Sequence, residues 1–237
     1  ELANGCMCCT VQEEFFPVMR ELAARRDQID AVLIETSGLA LPKPLVQAFQ
    51  WPDISNVFTV DAVVTVVDTP AAAAGQFAAH PEAVDEQRRA DPNLDHESPL
   101  HELFEDQLGA ADLVVLNKSD AVSAADLDKV QAMVREELPA EVKIVHASHG
   151  KLPLDVILGL SKAAETTIDQ RPTHHDHEED HDGRQDRKER GDDHLLDRGA
   201  GQHVDGAAVI GTVGAFHDAR LLAELTAHLL DDRPRGL

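Results

Sequence analysis

Ala31-Val32-Leu33-Ile34-Glu35-Thr36-Ser37-Gly38 begins with four apolar residues in succession. A run with no alternation is the pattern of a short parallel strand buried on both faces. An acid and a glycine then stand at the strand's carboxyl end, where open α/β sheets bind ligands. A carboxylate there can orient the water shell of Mg2+, and Gly38 lets a backbone N–H approach a phosphate. By itself, an ordinary strand-to-turn junction with a solvated Glu35 explains the tetrapeptide equally well. Two other loops add weight: Gly5-Cys6-Met7-Cys8-Cys9 upstream and Asn117-Lys118-Ser119-Asp120 downstream. Each falls at its own strand-loop junction, and three such loops on one sheet edge point to a nucleotide-and-metal switch.

The neighbouring segments supply the rest of that sheet. Residues 11–26 read as a helix with Phe15, Met19, Leu22 and Ala23 at three-to-four spacing. Pro17 would break a helix interior, which puts the true start near Glu14. A strand over 29–34 leads into the Glu35 loop, and Pro42 and Pro44 suit the entry to a short helix through Phe49. The run Val63-Val64-Thr65-Val66-Val67 makes a second buried strand within 57–68, ending at Asp68. An alanine-rich helix over 69–79 and a polar surface excursion over 80–97 follow. Ser98-Pro99 is a cap followed by proline at the first helical position, and opens a helix to Ala110. Leu113-Val114-Val115-Leu116 is the next strand; Ser123 with Asp126 resembles a capping box for a helix to Leu138. A strand over 142–146 and the loop Ser148-His149-Gly150 close the series. The expected organisation is an α/β domain over 1–161, a disordered His/Asp-rich linker over 166–205, and over 206–237 the start of a small α+β domain.

Composition narrows the function. With 237 residues and an apolar share of 43%, the chain can bury a substantial core. A formal net charge of -23 makes nucleic acid and anionic membrane poor partners, because phosphate backbones call for a basic surface. No apolar run reaches membrane-spanning length. The three cysteines lie too close together for a disulfide framework and read as metal ligands or redox thiols in a reducing cytoplasm. The chain opens at Glu1 without a methionine, so a preceding segment is expected.

Asn117-Lys118-Ser119-Asp120 is the sharpest motif. The Asp120 carboxylate can accept from both the ring N–H and the exocyclic amine of guanine, a pair that adenine lacks. Losing two hydrogen bonds to a charged group, at about 1.5–3 kcal/mol each, discriminates by roughly 100-fold or more. Asn117 would tie adjacent loops and Lys118 would lie along the base; the alternative is a polar turn after a strand. Cys6, Cys8 and Cys9 offer up to three thiolates, suited to Zn2+, Co2+ and Cu+. Buried small residues, or redox chemistry at the C-x-x-C spacing of Cys6 and Cys9, are the competing readings. The linker histidines His174, His175, His177, His181, His194 and His203 can hold divalent cations weakly or merely solvate a spacer. His96 reads as a surface histidine. No serine sits in a nucleophile elbow, and no phosphate-cradling loop with Lys-Ser/Thr occurs in these residues.

The cysteine motif, Glu-Thr-Ser-Gly and Asn-Lys-Ser-Asp, in this order, resemble the CobW family of P-loop GTPases, relatives of the nickel accessory GTPases of urease and hydrogenase. The flanking runs ETSGLALPKPLVQAF (35–49) and NLDHESPLHELFEDQ (93–107) and the His-rich stretch are closest to the cobalamin-biosynthesis branch. The resemblance implies a P-loop GTPase-type parallel sheet with flanking helices, whose Walker A loop lies before Glu1. It implies that Cys6, Cys8 and Cys9 bind the cargo metal, and that Glu35 and Gly38 serve Mg2+ and the γ-phosphate in catalysis. Asn117, Lys118 and Asp120 would hold guanine, with Ser148 near the guanine oxygen. The expected activity is GTP-dependent delivery of Co2+ to a cobaltochelatase system, with hydrolysis driving release. A zinc or iron chaperone of the same family, and a non-enzymatic metal store, are the alternatives.

Overall fold

The structure is a computed structural model that describes residues 15–36, 38–76, 100–171, 173 and 174, and the backbone of 207–214. Its strands are β1 (Ala31–Thr36), β2 (Phe58–Asp68), β3 (Leu113–Asn117), β4 (Lys143–His146) and β5 (Ala207–Gly214). All pairings are parallel, in the order β1-β5-β2-β3-β4. The unbroken apolar runs explain the middle of this sheet. Val67, Val114 and Leu116 pack on one face against Leu108, Val130 and Val134, while Val64, Val66, Leu113 and Val115 pack on the other against Leu152 and Ile157. Both alternating sets are apolar because helices or loops cover both faces. The helix from Ala124 to Glu136 is opened by Ser123, whose Oγ accepts from Asp126 N at 3.1 Å, as the capping pattern predicts. Among the described residues no helix is long and apolar enough to cross a membrane.

Strand and helix positions mostly follow the sequence expectations to within a few residues; the helix expected over 69–79 instead ends at Ala73, where the chain turns through Gly75 at φ 71°. The first described helix, α1 (Phe16–Ala24), holds Pro17 in its opening turn, where a missing N–H costs nothing. Residues 11–14 of that expected helix lie outside the described residues, as do 80–97 and the Ser98-Pro99 cap. β1 runs two residues further than expected and carries Glu35 and Thr36 as strand residues.

The packed body also continues past residue 161, where composition placed its end. Ala164 and Ile168 are fully buried in the core formed by Met19, Phe49, Ile54 and Val60. The Glu165 carboxylate accepts from Thr59 Oγ1 at 2.7 Å and Val60 N at 2.9 Å. Arg171 pairs with Asp112 at 2.8 Å, and Asp112 in turn accepts from Val63 N. A polar composition hid this because two apolar residues suffice to seat the segment. The nearly buried Asp61 fixes its approach, accepting from the backbone N–H groups of Gly159, Leu160 and Ser161 at 2.7–3.1 Å.

Ala207–Gly214 forms a strand inside this sheet, where the sequence reading set these residues at the head of a second domain. β1 and β2 do not pair with each other; each pairs with β5, with Thr212 level with Glu35 on one side and Val64 on the other.

The seating of 164–171 can be checked by Ile168→Ala. Truncating a fully buried isoleucine should cost about 2–5 kcal/mol, read as a lower urea midpoint at unchanged m-value. An unchanged midpoint would return these residues to a linker.

Candidate functional site

The carboxyl ends of the parallel strands collect the sequence-predicted polar residues on one edge. Asp68 and Asn117 are level across β2 and β3, and Leu116 is level with His146 of β4. The loop after β3 is therefore laced to the loop after β4. Asn117 is 1% exposed and its Oδ1 accepts from Gly150 N at 3.0 Å, the tie between loops expected of it. Ser119 donates from both N and Oγ to Ala147 O, at 3.1 and 2.9 Å. Gly150 takes φ 65°, a left-handed conformation in which glycine carries no steric cost, and His149 beside it takes φ 56°.

This lacing presents Asp120. Its carboxylate is half exposed, hydrogen-bonded by the Ser148 hydroxyl, with His149 Nε2 at 3.7 Å. The Ser148 hydroxyl and its own backbone N–H hold the carboxyl below the ordinary value of 3.8; slight desolvation opposes them and His149 assists. Asp120 is thus an ionised acceptor at neutral pH with a face open to a ligand. Lys118 reaches across to β2. Its Nζ donates to Asp68 Oδ2 at 2.8 Å, from a left-handed backbone at φ 58°.

At the other end of the edge stands Glu35, exposed on β1. The loop that follows it is gripped by Gln107, which is 1% exposed. Gln107 Nε2 donates to Gly38 O at 2.9 Å and Ala40 O at 3.1 Å, and its own carbonyl accepts from Thr65 Oγ1. β1 and β3 are three strand spacings apart, about 14 Å at ~4.8 Å each.

Asn117, Lys118, Asp120 and Ser148 therefore come together, with Glu35 and Gly38 on the same edge. Cys6, Cys8, Cys9, Ser37 and His96 lie outside the described residues. Among the described residues no three of His, Cys, Asp and Glu gather as a metal site. His174 is engaged, its ring Nε2 2.7 Å from Glu105 Oε2 and its N donating to Asp106 Oδ1. Sequence reasoning missed Asp68 and Gln107 as site residues. Asp68 was visible only as a strand terminus, and Gln107 only as the last letter of the 93–107 run.

Because the Asp120 pKa is depressed on folding, its contribution to stability is fully present above pH 3.8 and is lost as pH falls below it. Side-chain NMR should give Asp120 a midpoint below 3.8, and Ser148→Ala should raise it. A midpoint at or above 3.8 in the parent would contradict the Ser148 contact.

Residues 1–146 match the family described as CobW/HypB/UreG, nucleotide-binding domain. A Pseudomonas aeruginosa protein named zinc chaperone CobW is 74% identical over 178 residues, which is 75% of this chain and 48% of that protein. A Sinorhizobium sp protein of the same name is 50% identical over 186 residues, covering 77% of this chain and 52% of its own length. A Schizosaccharomyces pombe protein named zinc-regulated GTPase metalloprotein activator 1 is 29% identical over 152 residues, 64% of this chain and 32% of that protein. The chain thus spans about half the length of the two bacterial relatives. No solved structure matches it. The family match covers well over half of the 237 residues, on the same parallel-sheet edge that carries Asn117, Asp120 and Glu35, and the chain belongs to the CobW/HypB/UreG nucleotide-binding domain family.

Proposed function

We propose that this chain is the nucleotide-binding part of a GTP-dependent metallochaperone of the cytoplasm. The observation that carries the reading is Asp120: an ionised, half-exposed carboxylate held by Ser148, next to a buried Asn117 that locks two loops together. That is a preformed acceptor for the two N–H donors of guanine. In this reading the triphosphate end lies toward Glu35 and Gly38, on a strand about 14 Å from β3 by strand spacing. An exposed carboxylate at Glu35 fits Mg2+, which is commonly held through one or two carboxylates together with substrate phosphates. In this reading Glu35 and Gly38 take part in GTP hydrolysis, and the thiolates of Cys6, Cys8 and Cys9 bind the cargo ion.

For the cargo, zinc replaces the cobalt expected from the sequence. The relatives at 74% and 50% identity are named zinc chaperones, and Zn2+ generally outcompetes Co2+ at nitrogen and sulfur ligands. The cobaltochelatase client rested on cobalt and is replaced with it by an acceptor of zinc.

The nucleotide assignment is tested by Asp120→Asn in the complete protein. The amide can donate to the second carbonyl of xanthine but cannot accept from guanine's two donors. GTP affinity should fall by roughly 100-fold while xanthosine triphosphate affinity rises. Equal GTP affinity in variant and parent would overturn the guanine site.

A further inference from the structure

Asp68 does two things at once at the end of β2. Its Oδ1 accepts from Ala71 N at 3.2 Å, capping the short helix Thr69–Ala73, and its Oδ2 receives Lys118 Nζ at 2.8 Å. The carboxylate side chain is only 8% exposed, that of Lys118 35%. Lys118 begins one residue beyond Asn117, and Asn117 is level with Asp68. The four methylenes of the lysine, fixed at Cα beside β3 and at Nζ beside β2, must run across one strand spacing. A lysine in water samples many rotamers, and Asp68 removes that freedom before any ligand arrives. It also neutralises the ammonium charge locally.

We propose that Asp68 is a positioning residue for base recognition. It draws the Lys118 stem into an apolar bar at the mouth of the site, against which the flat face of guanine lies while Asp120 takes its edge. This rests on the nucleotide reading above and gives Lys118 a specific part in it: hydrocarbon surface, not charge. The benefit should therefore be the same for every guanine nucleotide, whatever its phosphate count.

The test measures GMP, GDP and GTP affinities and the melting temperature of the complete protein, with Asp68→Asn, Lys118→Met and the double variant. Asparagine caps a helix as well as aspartate does, so the melting temperature of Asp68→Asn should hold. Its nucleotide affinity should fall roughly 10-fold, by one common factor for GMP, GDP and GTP. The losses of the two single variants should not add, since each breaks the same pair. Should Asp68→Asn fail to fold, Lys118→Met still carries the test through the common factor. Parent affinity in Asp68→Asn, additive losses, or a loss that grows from GMP to GTP would overturn the proposal. If Asp120→Asn also leaves guanine binding intact, the nucleotide reading itself has failed; if Asp120→Asn weakens it and Asp68→Asn does not, only the positioning role is lost.

Discussion

The ladder between β1, β5 and β2 is the constraint on which the rest of the structure depends. β1 has no hydrogen bond to β2, and only the backbone of Ala207–Gly214 between them brings Glu35 level with the middle of β2. Parallel pairing does the remaining work. It sends every strand's carboxyl end to one edge, so residues 50 and more apart in sequence meet there. The Lys118–Asp68 pair follows from the β2–β3 register, in which Asp68 is level with Asn117.

The two ends of this edge are held by different contacts. The Asn117–Asp120 end is laced by Asn117, Ser119 and Ser148 to the 147–150 loop, with hydrogen bonds of about 3 Å. The Glu35 end is tied in a different way, through a buried amide, Gln107, that donates to Gly38 O and Ala40 O.

Much of this could be read from residues alone. Unbroken apolar runs located the strands, and the polar tetrads at their ends located the loops, because both signals are local. The ionised state of Asp120 could not be read, since it comes from Ser148, a residue near the other end of a helix and strand. Asp68 and Gln107 were missed for the same reason: each acts on a partner 50 to 69 residues away and carries no spacing pattern. The place of the 207–214 strand inside the sheet could not be read, because its neighbours are chosen by tertiary pairing, which its own residues do not encode. The end of the packed body was misplaced because Ala164 and Ile168 are two apolar residues in a polar stretch, too few to register in composition.

The proposed GTP-dependent metallochaperone requires that nucleotide binding and metal binding be linked in one equilibrium. The most direct measurement is a titration of Co2+, as a spectroscopic stand-in for Zn2+, into the complete protein with GTP, with GDP and without nucleotide. A switch predicts an intense thiolate charge-transfer band, lost in Cys8→Ser, and an affinity tighter with GTP by roughly 5–150-fold, the usual range of linked sites. The histidine-rich stretch cannot imitate that band, because imidazole carries no thiolate sulfur. The same affinity under all three conditions would contradict the account and leave a metal store.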